Sequence, residues 1–187
     1  MFNLQKPQFQ DRRVREALSL LWDFDWSNRQ MMHSLYLRQR SFFSRSALAA
    51  TQLPDAQELA ILEPWRGQVP EEVFTQVYQP PRTDGSGRIR PQQAQALKLL
   101  ADAGWTPRGD QLVNAEGTPL QFTFLNAQKG FERLLLPYKR NLAQIGIGFT
   151  IRLITSARAI AMRWRWPPEN SWGKRWRVSG SSPTRAT

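Results

Sequence analysis

The sequence predicts an α/β fold, with helices at the N-terminal side and a β-α-β unit over residues 119–154. Three patterns predict it. Val14, Ala17, Leu18, Leu21 and Trp22 fall at i, i+3, i+4, i+7 and i+8, the stripe of a helix with one buried face. Phe131, Leu134, Leu135, Tyr138, Leu142 and Ile145 make a second such stripe. Leu120, Phe122 and Phe124 on one side of it, and Ile147, Phe149, Ile151 and Leu153 on the other, alternate with the period of two that marks a strand. Strand, helix and strand in that order imply parallel pairing and a right-handed crossover.

The elements follow in chain order. Asp11 is placed to cap the first helix, whose polar side carries Arg12, Arg13, Arg15, Glu16 and Ser19. Met31, Met32, Leu35 and Tyr36 predict a second helix, with Asp25 or Ser27 as its cap. Asp55 opens a short helix at about 55–62 that must stop before Pro64. Residues 64–91 hold five prolines and three glycines and read as a long irregular connection with one helical turn near 70–75. From Pro91, at a first helical position, a helix with Ala94, Leu97, Leu100 and Ala101 inward runs to a glycine stop at Gly104. Gln111–Val113 and Leu120–Leu125 read as paired strands around the turn 114–117. Pro137 should kink the last helix or mark its true start, and Gly146 should end it.

Composition narrows the function classes. Apolar residues make up 41% of the 187, enough for a core, and there is no cysteine, which removes disulfides, thiolate metal sites and cysteine nucleophiles together. No run approaches the roughly 20 apolar residues of a membrane span. Lys6, Asp11, Arg12, Arg13, Arg15 and Glu16 interrupt any apolar leader, so the chain as written is expected to stay in the cytoplasm. The net charge of +11 is uneven. Residues 155–187 hold seven basic residues and one acid, Glu169, which leaves 19 basic and 14 acidic residues in 1–154. The body is only mildly basic. The end of the chain, with Arg163-Trp164-Arg165-Trp166-Pro167-Pro168 and four of the eight tryptophans, follows neither period and reads as a disordered, non-native tail. Its Arg/Trp alternation is also what a base-stacking or membrane-surface segment would use, so a small basic nucleic-acid-binding protein is the alternative.

Catalytic groups are sparse. The one histidine, His33, has no serine and acid spaced around it and reads as structural or solvated. Asp23 and Asp25 straddle Phe24, would point apart on a helix, and read as caps or ion-pair partners. Asp84-Gly85-Ser86-Gly87-Arg88 lacks both the lysine of a phosphate loop and the spacing of a dinucleotide fingerprint, which leaves a flexible turn. No cluster has metal-ligand spacing. Aromatic, basic and hydroxyl residues do gather at Tyr36, Arg38, Arg40, Ser41, Phe42 and Phe43. Tyr36, Arg38, Ser41, Phe42 and Phe43 suit the wall of a ligand cleft, the aromatics giving contact area and the polar groups orientation.

The order of several segments resembles the family 5 extracellular solute-binding proteins, in particular the branch with the microcin C and oligopeptide binder of enteric bacteria. The segments are FQDRRVREAL at 9–18, WDFDW at 22–26, PEEVFTQVYQPP at 70–81, ALKLLADAGW at 96–105 and LVNAEGTPL at 112–120. The helix ending in Ala-Gly-Trp and the closure on Ile145-Gly146-Ile147 add to it. The resemblance implies a periplasmic binding protein for peptides, with no enzyme activity and no cofactor, that hands its solute to an inner-membrane ABC permease; no nucleic acid is expected. It implies that residues 1–154 form most of the second of two lobes, in a chain lacking the rest, which binds poorly alone. The change of character after Ile154 suggests a shift of reading frame, in which case another frame past that codon resumes an amphipathic helix and a Phe-Asp strand.

Overall fold

The computed structural model describes residues 2–154. The expected Arg- and Trp-rich tail at 155–187 lies outside the described residues. Among the described residues six α-helices and four strands follow in order: α1 Arg12–Leu20, α2 Phe24–Met31, α3 Ala56–Leu62, α4 Glu72–Thr75, α5 Arg90–Asp102, β1 Thr106–Arg108, β2 Gln111–Val113, β3 Gln121–Asn126, α6 Glu132–Ala143 and β4 Gly148–Leu153.

Helix α1 is built as its stripe requires. The Asp11 carboxylate accepts from Arg13 N at 2.8 Å and caps the helix. The Arg13 guanidinium folds back onto the same carboxylate and holds Asp11 below its ordinary pKa. Val14, Ala17, Leu18 and Leu21 are all buried. The polar face is used as well: Arg15 Nη1 donates to the Phe9 and Gln10 carbonyls, and Arg13 Nη1 to the Asp102 carbonyl at the end of α5. That last bond satisfies a carbonyl the helix leaves open.

Helix α2 departs from the expectation. It is capped by Asp23, not Asp25 or Ser27, and it ends at Met31, before most of the predicted stripe. His33 and Ser34 take left-handed backbone angles, φ 51° and 60°. Asn28 then holds the chain in place of a further turn, donating to the Tyr36 carbonyl and accepting from Tyr36 N. Leu35 and Tyr36 are left exposed. Helices α3 and α4 lie where the sequence placed them, α3 with a full capping box between Asp55 and Glu58.

Helix α5 packs along α1. Its buried residues are Ala96 and Leu100, with Leu97, Leu99 and Ala103 partly buried against the core. Ala94 and Ala101 are exposed, so the inward face is rotated from the expected one. Gly104, at φ 86°, stops the helix as predicted.

The strands correct a second expectation. β2 pairs antiparallel with β1, which the sequence reading did not identify, and β3 pairs with β4. The turn at 114–117 forms, with Gly117 N donating to Asn114 O, but β2 and β3 meet only at the Val113–Pro119 bridge and a Leu120 N to Leu112 O bond. Pro119 has no N–H to extend a ladder. β3 and β4 are parallel, in register from Gln121–Gly148 to Asn126–Leu153, and α6 crosses between them. Pro137 sits inside α6 rather than at its start. Gly146 joins α6 to β4 at φ 81°, and a Cβ there would lie 2.9 Å from Leu112 N, so glycine is required by both backbone angle and space.

The core is continuous from Leu18 and Leu21 through Leu100 and Leu112 to Leu120 and Leu142. Leu18→Ala is expected to cost about 2–5 kcal/mol in urea unfolding. Leu37→Ala, at a residue 80% exposed, should stay within about 0.5 kcal/mol. Asp11→Ala should cost about 1 kcal/mol at pH 7. Because the folded Asp11 pKa lies below the ordinary 3.8, its contribution is present above pH 3.8 and lost as pH falls through the folded value. Urea midpoints of the parent and this variant should therefore converge in acid.

Candidate functional site

An open cavity of about 920 Å³ lies between the N-terminal segment, α1, β3 and α6. Five consecutive residues of β3, Gln121 to Leu125, line it. Neighbouring side chains of a strand point to opposite faces, so lining by all five places the cavity along the strand's edge. Among the described residues that edge carries no ladder; β4 holds the other one.

Aromatic rings line part of the walls and support one another, most of them edge to face and Phe2 against Phe9 at a tilt. Phe2 and Phe9 lie 5.1 Å apart, Phe9 and Phe122 5.5 Å, Phe122 and Phe149 5.1 Å, and Trp22 and Tyr138 5.5 Å. The Tyr138 hydroxyl donates to the Leu18 carbonyl at 2.9 Å, and its burial pushes its pKa up. α6 is tied to the C-terminal end of α1 at two points one turn apart, because Asn141 Nδ2 also donates to the Leu21 carbonyl at 3.1 Å.

Of the five residues proposed from the sequence, Arg38 lines this cavity. Its Nη1 donates to the Pro81 carbonyl at 2.8 Å and its guanidinium lies 5.5 Å from the Phe24 ring centroid. Partial burial draws its pKa below the usual arginine value, against the pull of Tyr78 and Asp25. The other four sit elsewhere. The Tyr36 ring is exposed and its backbone is held by Asn28. Ser41 Oγ accepts from Phe43 N and Ala50 N and so organises its own loop. Phe42 is 92% exposed and meets only Phe43 edge to face among the aromatic rings described. The sequence reading missed Phe9, Trp22, Phe122 and Tyr138 as lining residues because Trp22, Phe122 and Tyr138 each fit an apolar stripe and Phe9 fits none.

Asp23 and Asp25 do not point apart; both reach Thr83. The Thr83 hydroxyl donates to Asp23 Oδ1 at 2.5 Å, and Thr83 N donates to Asp25 Oδ2 at 2.9 Å. Asp23 Oδ1 also accepts from Trp26 N as the helix cap. Gly85, at φ 70°, donates its N–H to Thr83 Oγ1, and Arg29 reaches its carbonyl. The glycine-rich turn is thus a docked clasp on α2 rather than a loose connection. Among the described residues no three carboxylate, histidine or cysteine groups gather to hold a metal.

Helices packed about a parallel strand pair, beside a cleft open along a strand edge, make a partial α/β lobe. The sequence model for bacterial extracellular solute-binding proteins, family 5 (Middle), matches residues 1–183, and this chain belongs to that family. The chain is 42% identical over 158 residues to the uncharacterized protein YejA of Escherichia coli K12, a match covering 84% of this chain and 26% of that one. It is 39% identical over 157 residues to the probable peptide-binding protein YejA of Agrobacterium fabrum, covering 83% and 26%. It spans about a quarter of the length of these relatives. In fold it is similar to the oligopeptide-binding protein AppA of Bacillus subtilis, solved with a nonapeptide (TM-score 0.59, 18% identity, 86% of this chain and 26% of that one). A second likeness is the oligopeptide-binding protein of Thermus thermophilus, solved with a pentapeptide (TM-score 0.58, 15% identity, 86% and 24%).

Thr83→Val should cost about 1–3 kcal/mol in chemical denaturation, because Asp23, only 4% exposed, loses its hydroxyl donor. Thr83→Ser, which keeps the hydroxyl, should recover most of that loss.

Proposed function

We propose that this chain is part of the solute-capturing component of an ATP-driven importer for peptides or peptide-like molecules, and that the complete protein works outside the cytoplasm and delivers its load to an inner-membrane permease. The observation that carries this reading is the family match over residues 1–183. The peptides bound to the similar folds support the choice of solute. Residues 1–154 would be one jaw of a two-lobed clamp. No bond of the solute is made or broken in this reading. Recognition rests on burial of the ligand from two sides, and closure is driven by contacts that only the closed state makes. The exposed pair Phe42–Phe43, with Tyr36 and Ser41 nearby in sequence, is proposed as surface that the ligand or the second jaw covers.

A single jaw makes only its own share of those contacts. Isothermal titration calorimetry of the 187-residue chain with a mixed oligopeptide pool should give a Kd weaker than about 1 mM. Micromolar affinity would show that the chain is a complete binding unit and would refute the two-jaw reading.

A further inference from the structure

A second cavity, of about 450 Å³, opens between the start of α5 and the last turns of α6, and it shares no lining residue with the groove beside β3. Arg88 and Arg90 line it from the α5 side and Arg140 from the α6 side. Among the described residues no aspartate or glutamate does. The wall that carries Arg88 and Arg90 is anchored twice. Ile89 between them is only 3% exposed, and Gly87 lies so close to α2 that a Cβ there would meet Trp26 Nε1 at 2.9 Å. The two walls are joined where Gln93 Nε2 donates to Gln144 Oε1 at 2.7 Å. Beside Arg140, the buried Asn141 is fixed by its bond to the Leu21 carbonyl.

None of the three guanidiniums forms an ion pair with a described residue. Like charges gathered on one cavity repel one another, and an anion among them replaces that repulsion with attraction. Helix α5 also begins without a side-chain cap, so its positive end adds to the same potential. Each arginine offers a planar fork of N–H donors that fits an oxyanion. Three forks from two walls suit a group with three free oxygens, as a phosphate monoester has, better than a carboxylate with two.

We propose that this cavity binds a phosphate monoester group, held between Arg88 and Arg90 on one wall and Arg140 on the other, with the rest of a small molecule beside Gln93 and Gln144. The proposal does not depend on the peptide reading. A volume of about 450 Å³ is of the size that holds a small organic ligand. Residues 155–187 are a poor occupant by charge, with seven basic side chains and one acid for a cavity that is itself cationic.

Phosphorus NMR titration of the full chain with glycerol 3-phosphate and with inorganic phosphate tests this, with citrate as a carboxylate competitor and sedimentation with phosphatidylglycerol vesicles as the lipid arm. Glycerol 3-phosphate should bind with a Kd of about 1 mM or tighter. Arg140→Gln should weaken it about tenfold, and Arg140→Lys should keep part of the affinity. Arg133→Gln, on α6 but outside the cavity, should leave it unchanged, and so should any anion binding by the basic residues beyond 154 under either Arg140 substitution. Circular dichroism melting of Arg140→Gln separates loss of the site from loss of the fold, and Arg88→Gln, which should also weaken binding, carries the test if that variant unfolds. Affinity that survives both Arg140→Gln and Arg88→Gln overturns the site. Citrate binding as tightly as the phosphates overturns the choice of phosphate, and Arg140-dependent binding of the vesicles alone overturns the monoester. No binding by any probe overturns the proposal.

Discussion

The first helix has four apolar side chains to bury, and most of their cover comes from elements far along the chain. Val14, Ala17, Leu18 and Leu21 find their cover in α5 and in the layer of α6 and its strands. Polar bonds then fix the angle at which that cover sits. Arg13 reaches the last turn of α5, while Tyr138 and Asn141 of α6 take the carbonyls of Leu18 and Leu21. Apolar burial is non-directional, so it brings the helices together without setting their rotation. The three directional bonds supply what burial lacks. The edge of β3, and with it the groove, is positioned relative to α1 through α6.

Elements held by their own periodicity were legible in the sequence. Helices α1 and α6 have wide stripes of large apolar residues, and β4 alternates cleanly, so a single face dominated each reading. Helix α5 was misjudged in rotation because its stripe includes alanines, which lose little by facing water; Ala94 and Ala101 face out while Ala96 faces in. The end of α2 was not legible because it depends on Asn28 bonding both sides of Tyr36, a contact without a period. The turn after β2 could be read, but not the partners of the strands around it. Thr106-Pro107-Arg108 has no apolar residue to mark it as a strand, and the true partner of β3 lies beyond a whole helix.

The groove was legible in one residue. Arg38 stood out as a charge among aromatics, and it is the member of that cluster that reaches the cavity. The aromatic walls come from the N-terminal segment, the turn after α1, β3 and α6, and the rings are brought together only when the chain is folded. The clasp at Thr83 was hidden for a related reason. Two carboxylates two residues apart diverge on an ideal helix, but Asp23 precedes the helix as its cap and so turns toward the same threonine as Asp25. A cap leaves the helical geometry, and arguments from helical spacing stop there.

The bond from Tyr138 to Leu18 spans 120 residues of chain, and this sets a clock for biosynthesis. At a ribosomal rate of about 5–20 residues per second, α1 emerges about 6–24 s before its partner on α6 has been translated. Until α5 has been made those four apolar side chains lack their helical cover, and the cover from α6 and its strands comes later still. The packing of α1 is therefore completed in two stages, first by α5 and then by α6.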